Sequence, residues 1–213
     1  LAGGGYFKIV NQSVEPALRK LGYSPKEIGE ILDYLLGTLK LEGTPFINPR
    51  TLAEKGLTQE EISKVEAQLP RVVEISQAFT LPVLGEACVR RFGVVPEEAG
   101  RKDFSLISKL GFKPVEIEEA SKAATGHMTL EGAPYLKEEH LPVFDCANRC
   151  GRYGKRFIAP LGHIRMMAAA QPFISGAISK TVNLPNSITP EEIERVFSEA
   201  WKRGVKAIAV YRD

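Results

Sequence analysis

The chain has 213 residues, 44% of them hydrophobic and 25% charged, the balance of an ordinary soluble globular protein with room for one good core or two small ones. Its 28 basic and 26 acidic residues leave a net charge of +2, which gives no electrostatic reason to expect nucleic acid, so an anionic ligand would need a local site. No apolar run approaches the roughly 18 residues of a membrane span and no signal peptide is evident, while three cysteines are too few for a disulfide framework and fit a reducing cytosol.

The chain opens on Leu1-Ala2-Gly3-Gly4-Gly5 without an initiator Met and ends on Tyr211-Arg212-Asp213 without a capping segment, which suggests a piece of something longer or a processed subunit. The glycines lack the Lys-Ser/Thr ending and the preceding strand of a phosphate loop. They suit a tight turn against neighbouring backbone, leading into a short strand hinted at by Tyr6-Phe7-Lys8-Ile9-Val10.

An internal repeat follows. A shift of 89 residues carries Leu21-Gly22-Tyr23 onto Leu110-Gly111-Phe112, and Pro25, Glu27 and Ile28 onto Pro114, Glu116 and Ile117. Without a gap it then carries Gly37, Leu41-Glu42-Gly43, Pro45 and Phe46 onto Gly126, Leu130-Glu131-Gly132, Pro134 and Tyr135. The units lie near residues 17–48 and 106–137, each a helix, a glycine stop and an L-E-G-x-P turn. Their expected product is a pseudo-symmetric helical lobe over residues 11–143. Ser24-Pro25-x-Glu27 and Thr58-x-x-Glu61 are capping boxes, whereas Lys113 at the equivalent cap predicts a weaker start. Pro70, Pro82, Gly85, Gly93 and Pro96 break up the middle.

After Phe144 the character changes. Cys146 to Phe157, rich in Gly, Arg and Lys, reads as a loop, and a helix is predicted over 162–171. A strand is predicted over 173–184, with Ile174, Ile178, Val182 and Leu184 on one face and Ser175, Ala177, Ser179 and Thr181 on the other. A row of small and hydroxyl side chains permits close approach of backbone or ligand. Thr189-Pro190-x-Glu192 opens an amphipathic helix whose single apolar stripe is Ile193, Val196, Phe197, Ala200 and Trp201. Gly204 closes it, and residues 206–211 read as a second strand. Strand, helix and strand with short connections make a parallel βαβ unit, and two strands do not complete a parallel sheet. The fold class is therefore α/β and helix-rich: residues 1–10 as an entry segment, the helical lobe over 11–143, and a sheet-forming segment over 144–213.

Candidate chemistry is sparse. Cys146-x-x-x-Cys150 with His140 lacks the spacing of a structural zinc site, and its further partners, His127, His163 or Cys88, are scattered, so no metal is expected. Arg149, Arg152, Lys155 and Arg156 could grip phosphate or carboxylates, or form a solvated loop. His163, near a helix start, fits capping or packing, and Met166 and Met167 read as core filler. No Ser-His-Asp order, paired carboxylates or activated cysteine appears, so no catalytic residue is assigned.

Four stretches carry a resemblance. L-A-G-G-G-Y-F-K-I-V-N at 1–11, L-E-G-A-P-Y-L-K-E-E-H-L-P-V-F-D-C-A-N-R-C-G at 130–151, H-I-R-M-M-A-A-A-Q-P-F-I-S-G-A-I-S-K-T-V-N-L-P-N at 163–186 and G-V-K-A-I-A-V-Y-R-D at 204–213 resemble the adenosylcobalamin-dependent (class II) ribonucleotide reductases, in the C-terminal portion of the catalytic subunit. The resemblance implies a ten-stranded α/β barrel, of which this chain supplies the final strands and a helical insertion lobe. It implies reduction of ribonucleotides to deoxyribonucleotides, with adenosylcobalamin generating a cysteine radical and a thiol reductant such as thioredoxin restoring the enzyme. The family's reactive cysteines lie upstream of the segment matched, and none of Cys88, Cys146 or Cys150 stands in their context. Iron-dependent relatives place adjacent tyrosines on the last strand, whereas here Val210 precedes Tyr211. By position, Ser175, Gly176, Ala177, Ser179 and Lys180 are expected to line the substrate or cofactor cavity. The chain is expected to be cytoplasmic and inert alone, working with the N-terminal reductase portion on a ribonucleotide, with no membrane or direct nucleic-acid contact. Two other classes compete: a helix–hairpin–helix nucleic-acid-binding module, suggested by the paired L-G-[YF]-x-P-x-E-I units, and an inactive structural fragment making subunit contacts.

Overall fold

A computed structural model describes residues 10–101 and 104–212 and divides the chain into two units, the first ending at His140 and the second beginning at Leu141. The entry strand expected at 6–10 lies outside the described residues except for Val10, which is in no strand.

The first unit is built of short helices: α1 (Val14–Lys20), α2 (Pro25–Leu36), α3 (Pro49–Glu54), α4 (Gln59–Glu66), α5 (Leu81–Leu84), α6 (Glu86–Arg91), α7 (Pro96–Ala99), α8 (Leu106–Lys109) and α9 (Pro114–Thr125). Local chemistry explains the starts. Ser24 Oγ accepts from the Glu27 amide while the Glu27 carboxylate accepts from the Ser24 amide, and Thr58 and Glu61 do the same. Lys113 has no acceptor to offer, so only half of the box remains, the Glu116 carboxylate on the Lys113 amide at 2.8 Å. Asn48 and Thr51 form a further reciprocal pair ahead of α3. Leu41, Ile47, Leu52, Ile62, Val65, Leu69, Ile75, Phe79, Val89, Leu106 and Ile107 close into one core.

Backbone geometry recurs at the 89-residue offset. α2 and α9 are each 12 residues long. Positive φ angles fall in pairs: 77° and 76° at Gly37 and Gly126, 56° and 57° at Leu39 and Met128, 60° and 61° at Phe46 and Tyr135. Around the aromatic pair, Ile47 N–H donates to Pro45 O at 2.6 Å and Leu136 N–H to Pro134 O at 2.7 Å. A bond from residue i+2 to i across a positive φ is the strained γ-turn, rare for any side chain.

The two halves interlock reciprocally. Thr38 and Leu39 amides donate to the Ala123 and Ala124 carbonyls, while His127 and Met128 amides donate to Tyr34 and Leu35, each at 3.0 Å. The orphan carbonyls in the last turn of α2 are thus satisfied by the chain leaving α9, and those of α9 by the chain leaving α2. Each contact has its mirror at the offset, as an isologous interface requires. The second L-E-G-x-P turn and its exit also reach across: Tyr34 donates to Glu131 O at 2.9 Å, and Lys137 N–H donates to Tyr23 Oη at 2.9 Å. Lys55 in turn lies 5.5 Å from the centre of the Phe112 ring, the position equivalent to Tyr23.

The second unit contains a 3-10 segment running into it from Glu138 to Phe144, then α10 (Pro160–Ala170), β1 (Thr181–Leu184), α11 (Pro190–Lys202) and β2 (Ala209–Arg212). β1 and β2 pair in parallel, with Thr181 opposite Ala209 and Leu184 opposite Arg212, and are the strands found among the described residues. Ile164, Met167, Val182, Leu184, Val196 and Ala200 form its core. Thr189 and Glu192 cap α11 as the sequence predicts.

Three expectations are corrected here. The strand predicted over 173–184 is shorter: Gln171–Phe173 is a 3-10 turn, 175–176 a bend, and only Thr181–Leu184 is laddered. Carbonyls at the bend are taken by side chains rather than by a neighbouring strand, which leaves nothing to extend the ladder. The single apolar stripe of α11 divides, because two strands cover only its inner edge. Val196 and Ala200 are buried, but Trp201 is 80% exposed and Phe197 also faces solvent. Met167 is core filler, whereas Met166 is 73% exposed.

Candidate functional site

The candidate wall is an exposed bend between α10 and β1. Ser175, Gly176, Ala177 and Ser179 are exposed and Lys180 is half-buried, and a Cβ added at Gly176 would meet no atom within 4 Å. Phe173, at the start of the bend, is 89% exposed. These residues share one surface segment.

Two residues that sequence reasoning missed hold the bend. Gln171, only 5% exposed, donates through Nε2 to Ile174 O at 3.2 Å and Gly176 O at 2.9 Å. Its Oε1 accepts from the Lys206 amide at 3.4 Å, and Lys206 Nζ donates to Ser175 O at 2.6 Å and Ile174 O at 3.3 Å. A buried amide with both ends used fixes backbone well. The only sequence signal was a polar residue between Ala170 and Pro172, with its partner 35 positions downstream. Lys180 Nζ donates to the carbonyl of Thr181.

The basic loop is organised by its own charges. Arg156 makes a bidentate pair with Asp145, both contacts at 2.8 Å. Arg149 lies 5.6 Å from the Phe157 ring centre and Arg152 lies 5.9 Å from that of Tyr153. Asn183 Nδ2 donates to Asn148 Oδ1 at 2.6 Å, tying the loop to β1. His163 is buried within α10 and held neutral, since burial and then the charge of Lys180 push its ring below the ordinary histidine range against a backbone bond to Ile158.

The cysteines are dispersed. Cys146 is exposed, Cys150 half-buried and Cys88 buried in the first unit. Burial, then its bond to the Glu61 carboxylate, push the Cys88 thiol up to about 11, the opposite of an activated nucleophile. Among the described residues no group of three or more His, Cys, Asp or Glu is placed to hold a metal ion. At pH 8 a thiol reagent should therefore label Cys146 rapidly and Cys88 only after unfolding. Mass spectrometry of the native chain showing the two modified at equal rates would contradict this placement.

Comparison with known proteins puts these features in a family. Residues 94–211, more than half of the chain, match the family model for the ribonucleotide reductase barrel domain. A vitamin B12-dependent ribonucleotide reductase from Bradyrhizobium diazoefficiens is 51% identical over 214 residues, covering 100% of this chain and 17% of that protein. One from Agrobacterium fabrum is 50% identical with the same coverage, and one from Streptantibioticus cattleyicolor is 53% identical over 107 residues, 50% of this chain. The chain spans about a sixth of the length of the first two relatives. With a helix-rich structure and one parallel strand pair, the chain belongs to the ribonucleotide reductase barrel-domain family.

Proposed function

We propose that this chain forms one section of a vitamin B12-dependent ribonucleotide reductase, the enzyme class that converts ribonucleotides to deoxyribonucleotides. The observation that carries this reading is identity of about one residue in two along the entire chain to reductases six times its length. In this reading residues 144–213 complete a ten-stranded α/β barrel, residues 11–143 are an insertion lobe built from a duplicated unit, and the working protein is cytoplasmic. The open parallel pair of β1 and β2 supports the barrel, because such a sheet is stable only when extended and covered on both faces.

The residues present do not hold the cofactor. Adenosylcobalamin would supply the radical when bound to the complete reductase. Here Ser175, Gly176, Ala177, Ser179 and Lys180 offer an exposed strip without walls, and His163 is closed off from solvent. What the strip supplies is a surface without bulk, rigidly held by Gln171 and Lys206, against which a ribonucleotide or corrin seated in the remaining protein can lie. Cys88, buried with its thiol raised, does not suit radical or redox work. The substrate-reducing thiols and the contact with a reductant such as thioredoxin belong to the rest of the reductase.

The helix–hairpin–helix reading gains nothing from the structure. Tyr23 and Phe112, which follow the paired Leu-Gly turns, are buried in the lobe rather than presented to a backbone.

The chain alone, supplied with adenosylcobalamin, a dithiol and a ribonucleotide, should give no turnover. Adding the preceding portion of a close relative should restore it. Turnover by the isolated chain, or none from a mixture in which the two pieces demonstrably associate, would refute the proposal.

A further inference from the structure

Residues 145–158 carry four basic side chains against one acid, Asp145. Asp145 is committed to Arg156 through both carboxylate oxygens, each at 2.8 Å. The other three bases of the segment, Arg149, Arg152 and Lys155, are exposed. Arg149 and Arg152 lie 5.6 and 5.9 Å from the ring centres of Phe157 and Tyr153. A contact of this kind steadies a guanidinium without consuming any of its N–H donors.

The backbone holds these charges together. The segment is closed at its ends by the Arg156–Asp145 pair and by the Ile158 amide, which donates to Cys146 O at 2.8 Å. Within it the Gly154 amide donates to Cys150 O at 3.1 Å, and Gly151 takes a φ of 60°. Arg149 and Lys155 flank that bonded pair, so they leave the turn from adjacent points, with Arg152 in the middle of the turn. Gly154 is buried, and a Cβ there would clash with the Cys150 carbonyl, so the turn closes only around a glycine. Asn148, next to Arg149, is tied to β1 through Asn183. A loose loop would let like charges move apart, whereas this one keeps them where a single anion can neutralise them.

We propose that the turn from Arg149 to Lys155 is a binding site for a compact polyphosphate anion, gripped by Arg149, Arg152 and Lys155. Three cations suit a ligand that carries several charges on one small body, and guanidinium forks match phosphate oxygens. A protein carboxylate brings one charge at a time, and the segment already meets one from its own Asp145. The site needs no residue from outside this chain.

Calorimetric titration of the whole chain with tripolyphosphate, at about 0.15 M salt, tests this. The unmodified chain should bind saturably. Replacing Arg149, Arg152 and Lys155 together with Gln should weaken binding by about tenfold or more. Gly154→Ala keeps every charge but opens the turn, and should weaken it to a similar extent while circular dichroism shows the helices intact. Should that variant lose its helices, the triple variant and a tetraglutamate peptide decide. No binding by the unmodified chain, or binding that survives the triple variant, overturns the proposal. Equal binding by an intact Gly154→Ala variant would mean attraction by charge alone, and tighter binding of tetraglutamate would make the turn a carboxylate site. Either result overturns it too.

Discussion

Replacing Gly126 with alanine is expected to unfold the first unit, at a cost of about 4 kcal/mol or more, which is exceptional for deleting no contact at all. Two separate penalties meet at this position. Gly126 has a φ of 76°, where an L side chain is strained by about 1 kcal/mol. The added Cβ would also stand 2.4 Å from Gly37 N and from Leu35 O. Both are backbone atoms inside the interlock, so neither can rotate away. Relieving the clash means parting α2 from the chain leaving α9, which breaks the Thr38, Leu39, His127 and Met128 bonds together. Gly37→Ala should behave the same way, because its Cβ would meet Gly126 N at 2.4 Å and Ala124 O at 2.5 Å. Gly22→Ala is the control: its φ is 91°, yet nothing lies within 4 Å of the added atom. That variant should lose only about 1 kcal/mol. Urea unfolding of the three variants checks this, and a Gly126→Ala cost no greater than that of Gly22→Ala would mean that the halves do not approach so closely.

The same glycines show where sequence reading stops. The 89-residue offset and the capping boxes at Ser24, Thr58 and Thr189 were legible because their chemistry closes within three or four residues. The Asn48 and Thr51 cap obeys the same rule, so its signal was present too. Gly37 and Gly126 were legible only as helix stops. That each makes room for the other depends on a contact across 89 residues, which local spacing does not encode. The strand predicted from Phe173 failed for a related reason. Alternation from Ile174 to Leu184 describes an extended chain correctly, but a ladder needs free carbonyls, and Gln171 and Lys206 claim those of 174–176. The α11 stripe erred in the opposite sense. Its periodicity described everything apolar, including Phe197 and Trp201, which the two strands of this chain leave uncovered.

For the candidate wall, the residue whose loss should matter most is Gln171, although none of its own atoms lies on the exposed strip. Gln171→Leu keeps approximate volume and removes three hydrogen bonds, to Ile174 O, Gly176 O and the Lys206 amide. At about 1 kcal/mol for each bond, with part of the loss returned by water at the exposed bend, the expected destabilisation is about 2–3 kcal/mol. Lys206→Met should cost less than about 1 kcal/mol. Its ammonium grips the same bend from an exposed position, at Ser175 O and Ile174 O, and water replaces it readily. The variants remove three bonds and two, so a difference of this size reflects burial more than bond count. Hydrogen exchange adds a local readout: in Gln171→Leu, amides from Ile174 to Lys180 should exchange markedly faster while those of α2 and α9 stay protected. If the bend exchanges no faster in this variant than in the unmodified chain, its shape comes from Pro172 and the flanking elements. The clamp would then have no part in presenting Ser175, Gly176 and Ala177 to a ligand.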